Sequence, residues 1–521
     1  MRKGNGFRIP ALLLTAGMLA GCVMAAPAPA AEPAAPAAEV SEEAEPAAEA
    51  AEAPAATAEV SEEAAPAADM EIADSAGYAE TLFDTSRVHT VELTIAPEDW
   101  ALLLEHPLDK EKFKADVTID GETIPEVSVS TKGNYTLLYV AGAMESDRYS
   151  LRLNFGKYVD GQTYRGLDKL SLNNMFSDMT YMKNHMCYWL FRQMGVDAPL
   201  TSYVWLTVNG EDHGLYMAAE DMDKGHLRRV YDGDGVIYKP EPGGLDMTPE
   251  DLAWVLEVAE KGELEMPDKP SQGANLAYID DNIDSYPEIM NNAETKAKDG
   301  DKAEMVAALK ALSEGRPEDA FDTDEVIRYF AAHNFVLNYD NYTGPMLHNM
   351  VIVERDGKLT LGPWDYDSAF GAFRFVIDAS AYENPTDLLN MGIDTPLIRT
   401  TEEERPAWAF IVSGDGGYLE AYHAAMDELV SKYMESGAFD QEADAVASLI
   451  APYVEKDPTA FYTAEEFEQA VAVMKEFNRR RAMSVRKQLD GTLAADNGQQ
   501  ADEDKVDASD LRIDDMGSMI K

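Results

Sequence analysis

Residues 338–371 carry the side chains best suited to chemistry. Asn338-Tyr339-Asp340 is followed by His348-Asn349, then by Gly362-Pro363-Trp364-Asp365-Tyr366-Asp367, and the stretch closes at Phe370-Gly371. Three carboxylates and an amide at loop and strand ends suit a hard divalent cation, which takes oxygen ligands. A carboxylate held in such a group also suits taking a proton from a hydroxyl. From these residues alone the alternatives are a catalytic site and a structural Ca²⁺ site, because Asp-x-Asp fits both.

The elements that must position this set are readable. Residues 324–337 have helical spacing, and Asp340 is expected at the end of that helix. Residues 349–355 and 358–362 flank Asp356-Gly357, a type I′ turn pair. A two-residue turn fixes the register, setting Asn349 opposite Trp364 and His348 opposite Asp365. Asn349 and Asp365 are therefore expected to meet at the open mouth of a hairpin. His348 is expected to orient its neighbours by hydrogen bonding, and Trp364 and Phe370 to pack around the site.

Alternating strands are expected at 88–95, 114–119, 127–131, 149–155, 203–208, 215–220 and 236–239, with Asn209-Gly210 as a turn. Residue 179–194 spacing predicts an amphipathic helix containing Cys187 as a buried thiol. Further helices are expected at 249–261 and 302–312. The last helix opens on the capping box of Thr463 and Glu466 and ends at Gly491. Its apolar stripe is Phe467, Val471, Met474, Phe477 and Val485, with Arg481 as the one polar member, its head expected to reach water. The fold class is thus α+β and two-lobed: a β-rich part at 77–240, a mainly helical part at 241–491, and a cleft between them.

The flanks differ in kind. Arg2, Lys3 and Arg8 precede a short apolar run, then Leu19-Ala20-Gly21-Cys22, the pattern of a lipoprotein signal over residues 1–21 with lipid on Cys22. Ordinary secretion with cleavage near residues 25–31 is the alternative, and either implies an extracytoplasmic protein. Residues 22–76 form an Ala/Glu/Pro tether with an internal repeat, too poor in large apolar side chains to fold. Residues 492–521 are acidic and expected to be disordered.

The 521 residues carry 96 acidic against 43 basic side chains, a formal charge of −53. That excludes a free nucleic-acid surface, which needs a basic footprint. With two cysteines in all, Cys22 and Cys187, a disulfide framework is excluded once Cys22 carries lipid. His-x-x-x-His and Gly-x-Ser-x-Gly patterns are missing.

The chain resembles the spore-coat protein H (CotH) kinase family over roughly residues 88–491. The likeness rests first on Pro363-Trp364-Asp365-Tyr366-Asp367. Lys132-Gly133-Asn134 with residues 148–155, Asn209-Gly210 with Gly214-Leu215-Tyr216 and Glu220, and Gly273-Ala274-Asn275-Leu276 add to it. The resemblance implies an atypical two-lobed protein kinase using ATP and Mg²⁺ or Mn²⁺, with Ca²⁺ less favoured. It implies Asp340 as the base, Asn349 and Asp365 as metal ligands, and Asp367 as a further ligand or support. Glu220 is implied as partner of a phosphate-binding cation, which is one of Lys132, Arg148, Arg152 and Lys239. The chain departs from the family in having Tyr135 rather than Ser after Gly-Asn, and Arg148-Tyr149-Ser150 where a Lys-rich opening is usual. No Gly-x-Gly-x-x-Gly loop covers the phosphates. The substrate implied is a secreted or surface protein, basic and Ser-rich by charge complementarity. A non-catalytic surface adhesion module on the same lipid anchor is the competing function.

Overall fold

A computed structural model describes residues 77–144, 146–243, 271–377, 379–414 and 416–519, together with residue 257. The expected signal segment with Cys22, the expected tether and the helix expected at 249–261 lie outside the described residues, residue 257 apart.

The first part is a closed seven-stranded barrel in the order β1-β2-β3-β4-β5-β7-β6. Its strands are β1 (His89–Ile95), β2 (Phe113–Ile119), β3 (Glu122–Thr131), β4 (Leu151–Asn154), β5 (Lys169–Asn173), β6 (Thr201–Val208) and β7 (Glu211–Glu220). Parallel pairing of β1 with β6 closes the ring; every other pair is antiparallel. Strict in–out alternation along β1 and β2 fills the barrel with Val91, Leu93, Val117 and their cross-strand partners. β7 begins four residues before the expected start, because its opening Glu211-Asp212-His213 is polar while Asn209 and Gly210 both take positive φ, as the tight turn requires. β8 (Val236–Tyr238) leaves the barrel and pairs with the hairpin of β9 (Met350–Arg355) and β10 (Lys358–Pro363). The hairpin register is the one expected, from Lys358 opposite Arg355 to Pro363 opposite Met350.

Helices α1 (Pro97–Glu105), α2 (Tyr135–Ala143), α3 (Lys183–Gln193) and α4 (Lys224–Tyr231) accompany the barrel. The second part is built on α5 (Asp299–Ser313), α6 (Thr323–Val336), α7 (Pro406–Ser413), α8 (Tyr418–Leu429), α9 (Ala438–Val454) and α10 (Ala464–Leu489). α3 starts four residues later than expected. Asp178 captures the amides of Thr180 (2.9 Å) and Lys183 (2.7 Å), and Tyr181 sits at φ 58°, so the turn before Lys183 cannot be helical. The predicted capping box opens α10: Thr463 N–H donates to Glu466 and Glu466 N–H to Thr463 Oγ1.

Two expectations are corrected. Arg481 does not reach water: it is 1% exposed. Its guanidinium donates to the carbonyls of Asn334 and Phe335 at the end of α6 and of Leu389 and Met391. A cation there also meets the negative end of the α6 dipole. Residues 492–519 are not a disordered tail either. Leu493, Val506, Leu511, Ile513, Met516 and Met519 are buried; their irregular spacing hides them from any periodic pattern.

The two parts are clamped by Arg148. Fully buried, it donates to Asp457 Oδ2 (2.8 Å), to Thr459 Oγ1 (2.6 Å) and to the Leu215 carbonyl, and lies 4.7 Å from the Tyr216 ring centre. Gly214 is required beside it, since a Cβ there would overlap the Asp457 carboxylate. Removing one partner of such a pair leaves a buried charge uncompensated. Arg148→Met is expected to lower stability by about 3–5 kcal/mol, measured as a fall in the denaturation midpoint. An unchanged midpoint would contradict a clamping role.

Candidate active site

The site is built where α6 ends. Asp322 caps its start by accepting from Glu325 N–H. Leu337 stops it in the left-handed conformation, so Asp340 lies in the following loop rather than on the helix. Asn338 Oδ1 accepts the Asp340 amide (3.2 Å), and the Phe370 and Gly371 amides take the carbonyls of Val336 and Leu337. Both ends of the 338–371 stretch are thereby tied to one helix terminus. Arg405 holds the far side of the loop by donating to the carbonyls of Tyr342 and Gly344 (2.7 Å each). The Gly273 motif supports the same loop: Tyr342 Oη donates to the Asn275 carbonyl.

Asn349 Nδ2 donates to Asp340 Oδ2 at 2.7 Å, so the expected metal ligand contacts the expected base directly. Asn349 Oδ1 is buried with no hydrogen-bond partner. The hairpin mouth closes through Trp364 N–H on the Asn349 carbonyl. Both Asn349 (φ 54°) and Asp365 (φ 53°) are left-handed, a conformation that costs an L-residue about 1–2 kcal/mol and here aims their side chains. Helix α3 fixes the acidic loop: Asn184 Oδ1 accepts the Tyr366 amide (2.6 Å) and, one turn on, Tyr188 Oη accepts the Asp365 amide (2.8 Å). Beneath, His333 bridges Tyr366 Oη (2.8 Å) and Thr343 Oγ1 (2.7 Å), while Asn341 donates to the Asn349 carbonyl.

Burial raises the Asp340 carboxyl well above its ordinary range, and the neighbouring Asp365 and Asp367 add to the rise. Asp367 is pushed to about 8 by burial and then by Asp365, against Lys183. Such crowding of carboxylates calls for cations. Lys132 and Lys239 supply two: their ammonium groups lie 5.8 and 5.6 Å from the Trp364 ring centre. Lys132 Nζ also donates to Asn173 Oδ1 (2.6 Å). A cavity of about 40 Å³ joins Lys132, Gly133, Asn173, Asp178, Asp365 and Asp367. A larger groove of about 370 Å³ elsewhere, around Leu388, Met391 and Lys505, contains none of the site residues.

The four candidate cations now separate. Lys132 and Lys239 belong to the site. Arg148 is consumed by its clamp. Arg152 pairs with Asp221 at 3.0 Å. The expected pairing of Glu220 with a site cation is corrected: its carboxylate takes Arg229 (2.7 and 2.9 Å), Tyr78 Oη and the Leu200 amide. Against the upward push of burial, Arg229 and His226 hold it well below the carboxylate range. The acid facing Arg152, Lys169 and Lys132 is instead Asp221, one residue on, and a one-residue step in a strand reverses the face. His348 makes no hydrogen bond through Nδ1, its nearest carboxylate being Glu241 at 3.7 Å; burial pushes its imidazole down to about 3. Asp178, Lys183, Asn184, Tyr188 and Asp221 were not anticipated. A lysine opening an apolar helix, five residues after an aspartate, was the available signal for the first two.

In place of a glycine-rich loop, Lys132-Gly133-Asn134 turns into α2, and Gly133 and Thr136 line the cavity. Asp340 in contact with the Asn349 amide, Asp365 and Asp367 near it, and Lys132 and Lys239 at Trp364 are the residue types that phosphoryl transfer requires. A family model described as CotH kinase protein matches residues 129–485. The chain belongs to the CotH kinase family. It is similar to the inner spore coat protein H of Bacillus subtilis (strain 168), with 22% identity over 394 residues, 74% of this chain and 96% of that protein. An inner spore coat protein H-like protein of the same organism is 28% identical over 108 residues, 21% of this chain and 32% of that protein. Membership of the CotH kinase family implies protein kinase activity with ATP as phosphoryl donor.

The donor set fits a divalent metal. Among the described residues no three His, Cys, Asp or Glu side chains form a metal cage by themselves. The unpartnered Asn349 Oδ1 and the acidic loop instead match Mg²⁺, which takes one or two carboxylates and fills the remaining positions from water and phosphate.

The crowding has a pH signature. The folded chain holds the Asp367 proton up to about 8, whereas the unfolded chain releases it near the ordinary 3.8. Stability is therefore full below the carboxylate range and falls as pH rises from about 4 towards 8. Without divalent metal, Asp367→Asn is expected to flatten this fall, so that its melting temperature gains on the parent at pH 8 and not at pH 4. Parallel profiles would contradict the assignment.

Proposed function

We propose that this CotH kinase transfers the γ-phosphoryl group of ATP to Ser or Thr hydroxyls of secreted or surface proteins, with Mg²⁺ or Mn²⁺ held by Asn349 and Asp365. The observation that carries the proposal is the 2.7 Å contact of Asn349 with Asp340, which leaves the buried Asn349 Oδ1 free for a metal. When bound, the metal would offset the charge of the phosphate groups. Asp367 supports that ligand set from the same loop.

The chain's own residues do the rest. Lys132 and Lys239, spread across the Trp364 ring, neutralise phosphate oxygens as compact point charges. The turn at Gly133 and the start of α2 enclose the phosphates. Asp340 accepts the acceptor hydroxyl proton as that oxygen bonds to the γ-phosphorus and the bridging bond to ADP breaks. A bound cation would offset the Asp365 and Asp367 charges that raise the Asp340 carboxyl, favouring the ionised form that accepts a proton.

The proposed setting is outside the cytoplasm, on a lipid anchor at Cys22. It follows from the basic, apolar and small-residue order of residues 1–22. Among the described residues no helix is long and apolar enough to cross a membrane. The −53 charge favours a basic, Ser-rich acceptor.

Incubation with ATP, Mg²⁺ or Mn²⁺ and a basic Ser-rich protein is expected to incorporate phosphate. Asp340→Ala is expected to lower that rate by about 10²–10⁴-fold, and Lys132→Ala and Lys239→Ala to raise KM for ATP. Incorporation that survives Asp340→Ala would overturn the assignment.

A further inference from the structure

The family match ends at residue 485, yet the segment beyond it reaches back to the site. Ile513, Met516 and Met519 are buried. Their backbone is fastened at three points: Met179 N–H donates to the Met516 carbonyl (3.2 Å), Lys183 Nζ to the Gly517 carbonyl (2.9 Å) and Tyr135 Oη to the Met519 carbonyl (3.1 Å). Arg374 adds an ion pair with Asp514. Gly517 has φ +85°, and a Cβ on it would lie 2.6 Å from Met179 N and 2.9 Å from the Ser177 carbonyl oxygen. The segment therefore lies directly on the loop that carries Asp178.

These attachments fall on both walls of the site. Tyr135 begins α2 immediately after Lys132-Gly133-Asn134, and it is the position where the chain departs from the family's Gly-Asn-Ser pattern. Lys183 begins α3, whose Asn184 and Tyr188 hold the amides of the acidic loop. The Lys183 ammonium is fully buried, hydrogen-bonded to the Ser177 and Gly517 carbonyls, and within electrostatic reach of Asp178 and Asp367.

We infer that residues 511–519 are a strap belonging to the active site, and that the strap seats Lys183 as a positioning residue which holds Asp367 and the acidic loop in their metal-binding arrangement. Through Tyr135 the same strap ties that loop to the phosphate-binding turn. A buried ammonium is tolerated only while its acceptors are in place; Gly517 supplies one of the two it has. Displacing the strap removes that acceptor, and Lys183 can no longer offset Asp367 from beneath. What the loop binds rests on the proposed kinase function, but the coupling of strap to loop does not.

The test uses the full chain with Gly517→Val, which the +85° backbone and the close Met179 amide cannot accommodate, and with Lys183→Met. Tyr135→Phe, which keeps the ring against Phe375, serves as the mild variant should either fail to fold. Amide hydrogen exchange is read in segments 177–184 and 365–367, and Mn²⁺–nucleotide binding is read by calorimetry. Faster exchange in both segments is expected, together with a loss of metal affinity of about 10–100-fold for Gly517→Val and Lys183→Met, the range for groups that orient metal ligands. Tyr135→Phe is expected to move both in the same direction by less. Faster exchange confined to residues 492–519 would overturn the inference, as would unchanged metal affinity. Failure of the unaltered chain to bind metal–nucleotide would overturn the proposed function, and the exchange result would still decide the coupling.

Discussion

The constraint on which the structure depends is the mutual repulsion of Asp340, Asp365 and Asp367 in a poorly hydrated pocket. Asp365 and Asp367 add to the rise that burial imposes on Asp340, and Asp365 adds to that on Asp367. They are held together by main-chain anchoring rather than by direct ion pairs. Asp340 is fixed by the end of α6, where Arg481 takes the last carbonyls. Asp365 and Tyr366 are fixed through their amides by Tyr188 and Asn184. The groups from α3 that hold the acidic loop bond to its backbone rather than to the Asp365 carboxylate.

The same logic explains the distribution of arginines and lysines. Arg148, Arg405 and Arg481 are buried structural forks, each meeting several acceptors at once, which the planar guanidinium does well. The cations nearest the acidic loop are lysines. Lys132 and Lys239 both lie against the Trp364 ring, and Lys183 is within electrostatic reach of Asp367. A lysine is a single movable charge, suited to a phosphate that arrives and departs.

Local features of the fold were legible because their causes are local. The Asp356-Gly357 turn set the hairpin register, and so the meeting of Asn349 with Trp364. The capping box at Thr463 and Glu466 and the alternation in β1 needed no distant partner. What was not legible depends on groups far away in sequence. Arg481 could be seen to interrupt an apolar stripe, but the end of α6 that receives it lies about 145 residues earlier. The resemblance implies Glu220 as the acid facing the site cations, whereas the strand ends by turning Glu220 towards Arg229 and Asp221, one residue on, takes that side. The order of residues 492–519 escaped because its buried side chains follow no helix or strand period. They conform to a surface already made by the rest of the lobe.

Within the site, strain and function coincide. Six non-glycine residues adopt positive φ within 34 residues of chain: Leu337, Leu347, Asn349, Asp356, Asp365 and Phe370. Glycine at these positions would relieve the backbone, but it would lose the Asn349 amide, the Asp365 carboxylate and the packing of Leu337 and Phe370. Strained conformations persist only where the surroundings over-determine them. Here the surroundings are two arginine forks, one helix face and a two-residue hairpin turn. The strain marks points at which side-chain direction matters more than backbone comfort, and two of the six are Asn349 and Asp365, the proposed metal ligands. A divalent cation held as proposed by Asn349 and Asp365 would offset the crowding of carboxylates that burial makes costly.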